Sequence, residues 1–373
     1  MKALQEYIAL LGEDYPLQII TLGTAILGAV CGMLGCFTVL RKQSLLGDTI
    51  SHAALPGIAL VFLWLGVKDN LIMLLGALVS GVIGTVWIKG IISKTHLKSD
   101  TAMGLVLSLF FGFGMLLLTF IQKIPNANQA GLETYLFGQA ATLLASDVWL
   151  LAISGILCFG ILCLFWKEFK VLLFDMDYSL SLGFNTNLLD FILTGMIVLV
   201  VVLGLQSVGV VLMSSLLLAP AAAARQWTNR LSVMVGISAI IGALSGIIGT
   251  AISTTTKGLP TGPVIVMIAT CFVFISFIFS PQRGILFKQI RKYKNRKALK
   301  IFKTLALMYD IAKTHENISH PHSVMILNNF QGYSRSAMQE LEDQELVVIN
   351  DNMWHLTNDG YNKAARLFNQ ETI

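Results

Sequence analysis

Asp48 and His52 lie four residues apart in the apolar stretch QSLLGDTISHAALPGIALVF. On a helix both side chains would share one face, about 6 Å apart along the axis. An ionisable residue inside a membrane helix costs roughly 2.5–3.5 kcal/mol on insertion scales and normally faces the bundle interior. A carboxylate beside an imidazole is a plausible half of a site for manganese, iron or zinc, which accept oxygen and nitrogen donors. The same spacing also suits an Asp–His hydrogen-bonded pair that only ties helices together. Spacing alone does not choose between them. Pro56 removes a backbone donor one turn later and frees the His52 carbonyl, a place where a helix can kink.

Residues 205–231, LQSVGVVLMSSLLLAPAAAARQWTNRL, read as an apolar span ending at Ala219-Pro220 and a short Ala-rich amphipathic segment after it. Pro220, Arg225, Trp227 and Arg230 mark that segment. A short cationic helix parallel to the membrane suits docking onto a cytoplasmic partner, though a plain loop obeying the positive-inside bias would look the same. Residues 253–269, STTTKGLPTGPVIVMIA, set four hydroxyls, Ser253 to Thr256, before a turn rich in Gly and Pro. Those hydroxyls could line an aqueous entrance or simply cap and solvate the loop. No GxxxxGK followed by Ser or Thr occurs. The chain therefore has no P-loop to cradle ATP, and an ATP-driven step needs a separate subunit.

Membrane helices are the elements expected to hold these residues. Of its 373 residues 55% are hydrophobic and 13% charged, against roughly 25% charged in soluble domains. The depletion is confined to residues 17–281, and the last ninety residues are ordinary in polarity. Two regimes predict two domains. At about twenty apolar residues per crossing, spans are expected near 17–40, 44–66, 71–92, 101–121, 147–165, 188–204, 206–223, 231–252 and 261–280. Segment 133–145 is too short to cross and reads as interfacial or re-entrant. With the N-terminus outside, twenty-two Lys and Arg fall inside and four outside, which predicts N-out and C-in.

Gly28/Gly32/Gly35 and Gly242/Gly246/Gly249 recur at the spacing that lets helices approach closely. The five cysteines all fall inside apolar runs and read as small buried residues rather than a disulfide framework. The first fifteen residues lack the features of a removable signal peptide. Residues 283–303 carry nine Lys and Arg and no acid, which reads as a segment contacting anionic lipid headgroups at about 1 kcal/mol per cation.

Three blocks together resemble the membrane subunits of the manganese/zinc/iron family of bacterial ABC importers, of the type II class. They are Gly47-Asp48-Thr49-Ile50-Ser51-His52-Ala53 with Pro56-Gly57, then Gln206-Ser207-Val208-Gly209 running to Pro220-Ala221 and Arg225. The third is Leu259-Pro260-Thr261-Gly262-Pro263, closed by Pro281 and Arg283-Gly284. The similarity covers roughly residues 15–285. It implies a multi-pass permease of the bacterial cell membrane that dimerises with itself or with a paralogue. It further implies two copies of a cytoplasmic ATPase subunit and an extracytoplasmic metal-binding protein. On that model Asp48 and His52 are metal-site residues, the divalent ion is cargo rather than cofactor, and 219–231 is the coupling helix. One departure stands out: no Asp, Glu or His occurs between Phe191 and Tyr309. Further ligands would be hydroxyls, Gln206, a Met, a backbone carbonyl, water, or groups from a paralogous partner.

Members of that family usually stop near residue 285, so the tail is an addition. Helices are expected at 298–313, 321–330 and 333–344, then a turn at Asn350-Asp351-Asn352 between short strands and a final helix after Leu356-Thr357-Asn358-Asp359-Gly360. That order resembles the winged-helix domains of metal- and stress-responsive repressors. Charge opposes DNA binding. Residues 304–373 hold four cations, Lys313, Arg335, Lys363 and Arg366, against nine acids, and phosphate contact dominates DNA affinity. A protein-contact or regulatory module is favoured. His315, His320 and His322 could sense metal, or form a solvated turn. The expected architecture is an all-α polytopic permease domain at 1–282, a basic linker at 283–303 and a small α+β cytoplasmic domain at 304–373. The competing classes are a membrane-tethered transcription regulator and a secondary metal transporter. Nine spans exceed what an anchor needs, and a secondary transporter usually keeps several intramembrane acids.

Overall fold

The computed structural model describes residues 14–66, 69–123, 138, 143–255, 259–314, 320–328, 330 and 333–370. It divides after Gly284 into two compact units. The first holds α1 (Tyr15–Leu40), α2 (Leu46–Leu65), α3 (Asn70–Lys94), α4 (Ser99–Gln122) and α5 (Ala145–Leu164). Then come two short helices, α6 (Trp166–Phe174) and α7 (Met176–Ser181). The unit closes with α8 (Thr186–Val208), α9 (Val210–Trp227), α10 (Leu231–Thr255) and α11 (Thr261–Phe279). Among the described residues eight helices are long and apolar enough to cross a membrane. The ninth expected span, 206–223, corresponds to α9, an 18-residue helix about 27 Å long. The expected segment 133–145 lies almost wholly outside the described residues.

Local chemistry sets the boundaries. The Asp69 side chain accepts from Leu71 N and Ile72 N at the start of α3, and Asn185 does so for Leu188 N at the start of α8. Gly66, at φ 65°, closes α2 in the left-handed conformation. A single residue, Gly209, separates α8 from α9 at φ 88° and ψ 162°. That region is essentially closed to residues with a Cβ, and so the long apolar run 188–223 is cut there.

The expected end of a span at Ala219-Pro220 is not what forms. The helix continues through Pro220 to Trp227, so 219–231 is the end of α9 and a short turn, not a separate helix. Proline removes one backbone bond, but the four alanines after it are the strongest helix formers. Ala221, Ala223 and Ala224 are fully buried, and that burial keeps the last turns in register.

The two glycine clusters meet. Antiparallel α1 and α10 approach so closely that a Cβ on Gly28 would lie 2.2 Å from the Gly242 carbonyl oxygen, and one on Gly32 2.4 Å from that of Ser238. The Ser238 hydroxyl donates to the Gly32 carbonyl at 2.6 Å, and Thr24 and Thr250 share a hydrogen bond at 2.9 Å. Helix α6 lies between two of the expected spans. It docks through buried Phe169, whose ring meets Phe37 of α1 edge-on at 6.2 Å.

The second unit begins with α12 (Ile285–Lys313), followed by β1 (His322–Ser323), α13 (Val324–Asn328), α14 (Arg335–Asp343), β2 (Val347–Asn350), β3 (Met353–Leu356) and α15 (Asn358–Gln370). The expected linker and first tail helix are one 29-residue helix, since neither Gly nor Pro interrupts it. The antiparallel sheet runs β1-β3-β2, with His322 opposite Trp354 and Val347 opposite Leu356. Asp351 and Asn352 both take positive φ, the two-residue turn that matches strand twist. Trp354, Met308 and Leu341 are fully buried in its core. A Cβ on Gly360 would lie 2.0 Å from the Leu346 carbonyl oxygen, and Thr357 Oγ1 accepts from Gly360 N while donating to Glu345 and Leu346 carbonyls. Those contacts give the Leu-Thr-x-x-Gly pattern its physical reason.

Candidate metal site and its polar supports

Asp48 occupies the first turn of α2, and His52 follows one turn deeper. Their Oδ1 and Nε2 atoms stand 3.6 Å apart, with 32% and 14% of the side chains exposed. At that distance the two are not hydrogen-bonded. Both sit on one helix, so a bond between the two would not by itself join two helices. Ligands about 2.1 Å from a shared ion stand about 3.4 Å apart in tetrahedral geometry, within a few tenths of an ångström of the observed gap. His52 Nδ1 is buried without a hydrogen-bond partner, and the imidazole meets Phe111 of α4 edge-on at 4.7 Å. Among the described residues no group of three or more His, Cys, Asp or Glu could hold an ion. Among the described residues the pair is two potential donors, and an ion held there would need further donors or water to complete its sphere.

The three sequence blocks converge around α9. A Cβ on Gly47 would press on Leu217 at 2.9 Å and Ser214 at 3.5 Å, and one on Gly262 would meet the Val208 carbonyl oxygen at 3.2 Å. Pro56 packs on Gly114 of α4, where a Cβ would come within 3.2 Å of its ring, and Ser80 donates to the Ala53 carbonyl at 2.6 Å. The end of α9 is held as well. Trp227 Nε1 donates to Ser276 Oγ at 2.9 Å, Arg283 donates to Asn229 at 2.8 Å, and Ser280 donates to the Gln226 carbonyl. Arg225 lies in the last turn of α9, and Arg230 lies just before α10. Ser253 donates to the Leu259 carbonyl at 2.8 Å and shares a hydrogen bond with Thr261 at 3.0 Å. Part of the hydroxyl stretch is thus loop support.

Two polar clusters escaped sequence reasoning. In the first, Asn70 donates to Gln206 Oε1 at 2.9 Å and Asp147 Oδ1 at 3.3 Å, and Gln206 donates to Asp147 Oδ2 at 3.5 Å. In the second, Arg41 and Lys89 share the Asp190 carboxylate. Burial pushes the Arg41 guanidinium down to about 10, still charged at neutral pH. Each acid sits in the opening turns of an expected span, where a cap and a site look alike. Their partners are 59 to 149 residues away in sequence.

A packed bundle of apolar helices carrying a half-buried Asp–His pair has the character of a membrane permease. The chain belongs to the ABC 3 transport family, whose model matches residues 13–280. It is 48% identical over 280 residues to the zinc transport system membrane protein TroC of Treponema pallidum, covering 75% of this chain and 94% of that one. It is 40% identical over 351 residues to the manganese transport system membrane protein MntC of Bacillus subtilis, covering 93% of this chain and 80% of that one. At 93% coverage the second match extends into the second unit. Among solved structures, PsaBC from Streptococcus pneumoniae in complex with Fab superposes with a TM-score of 0.67 at 31% identity, over 77% of this chain and 99% of that one. Zinc and manganese stand in the names of these relatives. Iron, expected beside them, finds no support there.

Proposed function

We propose that this chain is the permease subunit of an ATP-binding cassette importer that carries manganese or zinc, with Asp48 and His52 as ligands along the pathway. The observation that carries the reading is the Asp48–His52 pair. It is spaced for a shared ion, is not hydrogen-bonded to itself, and lies in a chain of the ABC 3 transport family. A carboxylate suits manganese and an imidazole suits zinc, so the pair accepts the metals named for both relatives. The ion is cargo.

The positive-inside bias supports N-out and C-in, with the second unit cytoplasmic. Two copies of a separate ATPase subunit would dock at the inner end of α9, around Pro220, Arg225, Trp227 and Arg230, which hydrogen bonds to α11 hold in place. An extracytoplasmic metal-binding protein would deliver the ion. A second permease, another copy or a paralogue, would complete the pathway. The basic face of α12 would lie on anionic lipid. The second unit would be a winged-helix-like module for protein contact or regulation rather than for DNA. Helix α14 carries Glu340, Glu342 and Asp343 with only Arg335, and Glu340 pairs with Lys297.

The test is uptake of radiolabelled manganese and zinc by cells lacking their own importers, with this chain and its partner subunits restored. Saturable uptake that requires this chain is expected. Uptake of neither metal would overturn the reading.

A further inference from the structure

Asp190 lies in the second turn of α8 and takes two cations at once. Arg41 Nη2 reaches Oδ1 and Lys89 Nζ lies 2.5 Å from Oδ2, with Phe191 beneath the Lys89 ammonium at 5.6 Å. At the other end of the same two helices, Asn70 of α3 donates to Gln206 of α8. These antiparallel helices are therefore pinned at both ends, about 28 Å apart along α3 and about 24 Å along α8. A pair fastened at two such separated points resists both sliding and splaying.

Arg41 is the third member at one end, and it caps α1. Only four residues separate it from α2, and they carry little slack. Arg41 N donates to Phe37 O at 3.0 Å, Gln43 N to Thr38 O at 3.0 Å and Leu46 N to Gln43 O at 3.1 Å, while Lys42 adopts φ 57°. Asp48 follows two residues into α2, and Gly47 beside it is wedged on Leu217. The Asp190 carboxylate thus fixes the turn that sets where the first turn of α2 begins.

We propose that Asp190 is a positioning residue for the Asp48–His52 pair, acting through Arg41 and its turn; this rests on the reading of that pair as the metal site. Loss of the carboxylate frees Arg41, lets the first turn of α2 shift, and displaces Asp48 more than His52, which lies a turn further in. Manganese relies more on oxygen donors and zinc more on imidazole. The displacement therefore weakens manganese binding more than zinc binding.

The experiment uses the purified full chain in nanodiscs. Free manganese is followed by its electron paramagnetic resonance signal, and zinc is added as competitor. Wild type, Asp48→Ala, Asp190→Ala, Asp190→Glu and the reciprocal pair Arg41→Asp with Asp190→Arg are compared. Asp190→Ala should weaken manganese binding about tenfold and zinc binding less than threefold. Asp190→Glu and the reciprocal pair should recover most of the manganese affinity. Equal losses for both metals, unchanged affinities, or no recovery in both rescuing variants would overturn the positioning role. If Asp48→Ala loses manganese while Asp190→Ala keeps it, only the positioning role falls. If Asp48→Ala binds manganese like wild type, or the wild type binds none even when purified together with its partner permease, the metal reading has failed and the positioning role with it.

Discussion

The Asp147 carboxylate answers three donors: Asn70 and Gln206 from other helices, and Leu144 N at its own helix start at 3.1 Å. Removing a partner from a half-buried polar network leaves the others without acceptors, at about 1–3 kcal/mol. Asp147→Ala should therefore destabilise the membrane unit by about that amount, and Asp147→Asn by about half or less. Thermal unfolding in detergent measures both, and an unshifted midpoint for Asp147→Ala would remove the network from the account. At this scale the sequence discloses contacts that are local. Asp48 and His52 share a face by spacing alone, and their types name a chemistry. Asp147 and Asp190 look like helix-start residues, because what defines them is folded in from the far side of the bundle. Gln206, one of several groups that the sequence offers as a further donor, is hydrogen-bonded to Asn70 and Asp147.

Helix α1 lies against α10 in close backbone contact, and small residues make it possible. Gly28→Ala would push a Cβ to 2.2 Å from the Gly242 carbonyl oxygen, so the helices must part. Overpacking of this kind costs about 1–3 kcal/mol. Gly28→Ala should lower the unfolding midpoint and the folded yield, whereas Gly104→Ala, with open space around it, should do neither. Equal effects from the two would mean the contact is not what holds the pair. A second element, the inner end of α9, is expected to meet the ATPase. Arg225→Glu should weaken co-purification of that subunit several-fold, and undiminished co-purification would move the docking surface elsewhere. Periodic glycines announce that a helix has a close neighbour but not which one. The continuation of α9 through Pro220 is not legible because proline signals a stop, which the propensity and burial of the following alanines outweigh.

Two units of opposite character make up the molecule, an apolar bundle and a small mixed domain opened by a basic helix. The change in composition near Pro281 locates the division, and alternating hydropathy with turn residues locates the hairpin. The strand at His322–Ser323 was not legible, since two residues carry no periodicity and β3 alone gives them a partner. Charge decides the reading of the second unit. A fragment of residues 298–373 should show no sequence-specific DNA binding at low salt, while its deletion should change uptake by the membrane unit. Salt-dependent, sequence-specific binding together with unchanged uptake would make it a DNA reader. The proposed transport by the whole molecule rests on two side chains, Asp48 and His52. It is tested most directly by initial rates of radiolabelled manganese and zinc uptake in cells carrying Asp48→Ala or His52→Ala, normalised to the amount of chain in the membrane. Either substitution is expected to abolish uptake of both metals at wild-type membrane levels, and wild-type rates in both variants would make the pair structural.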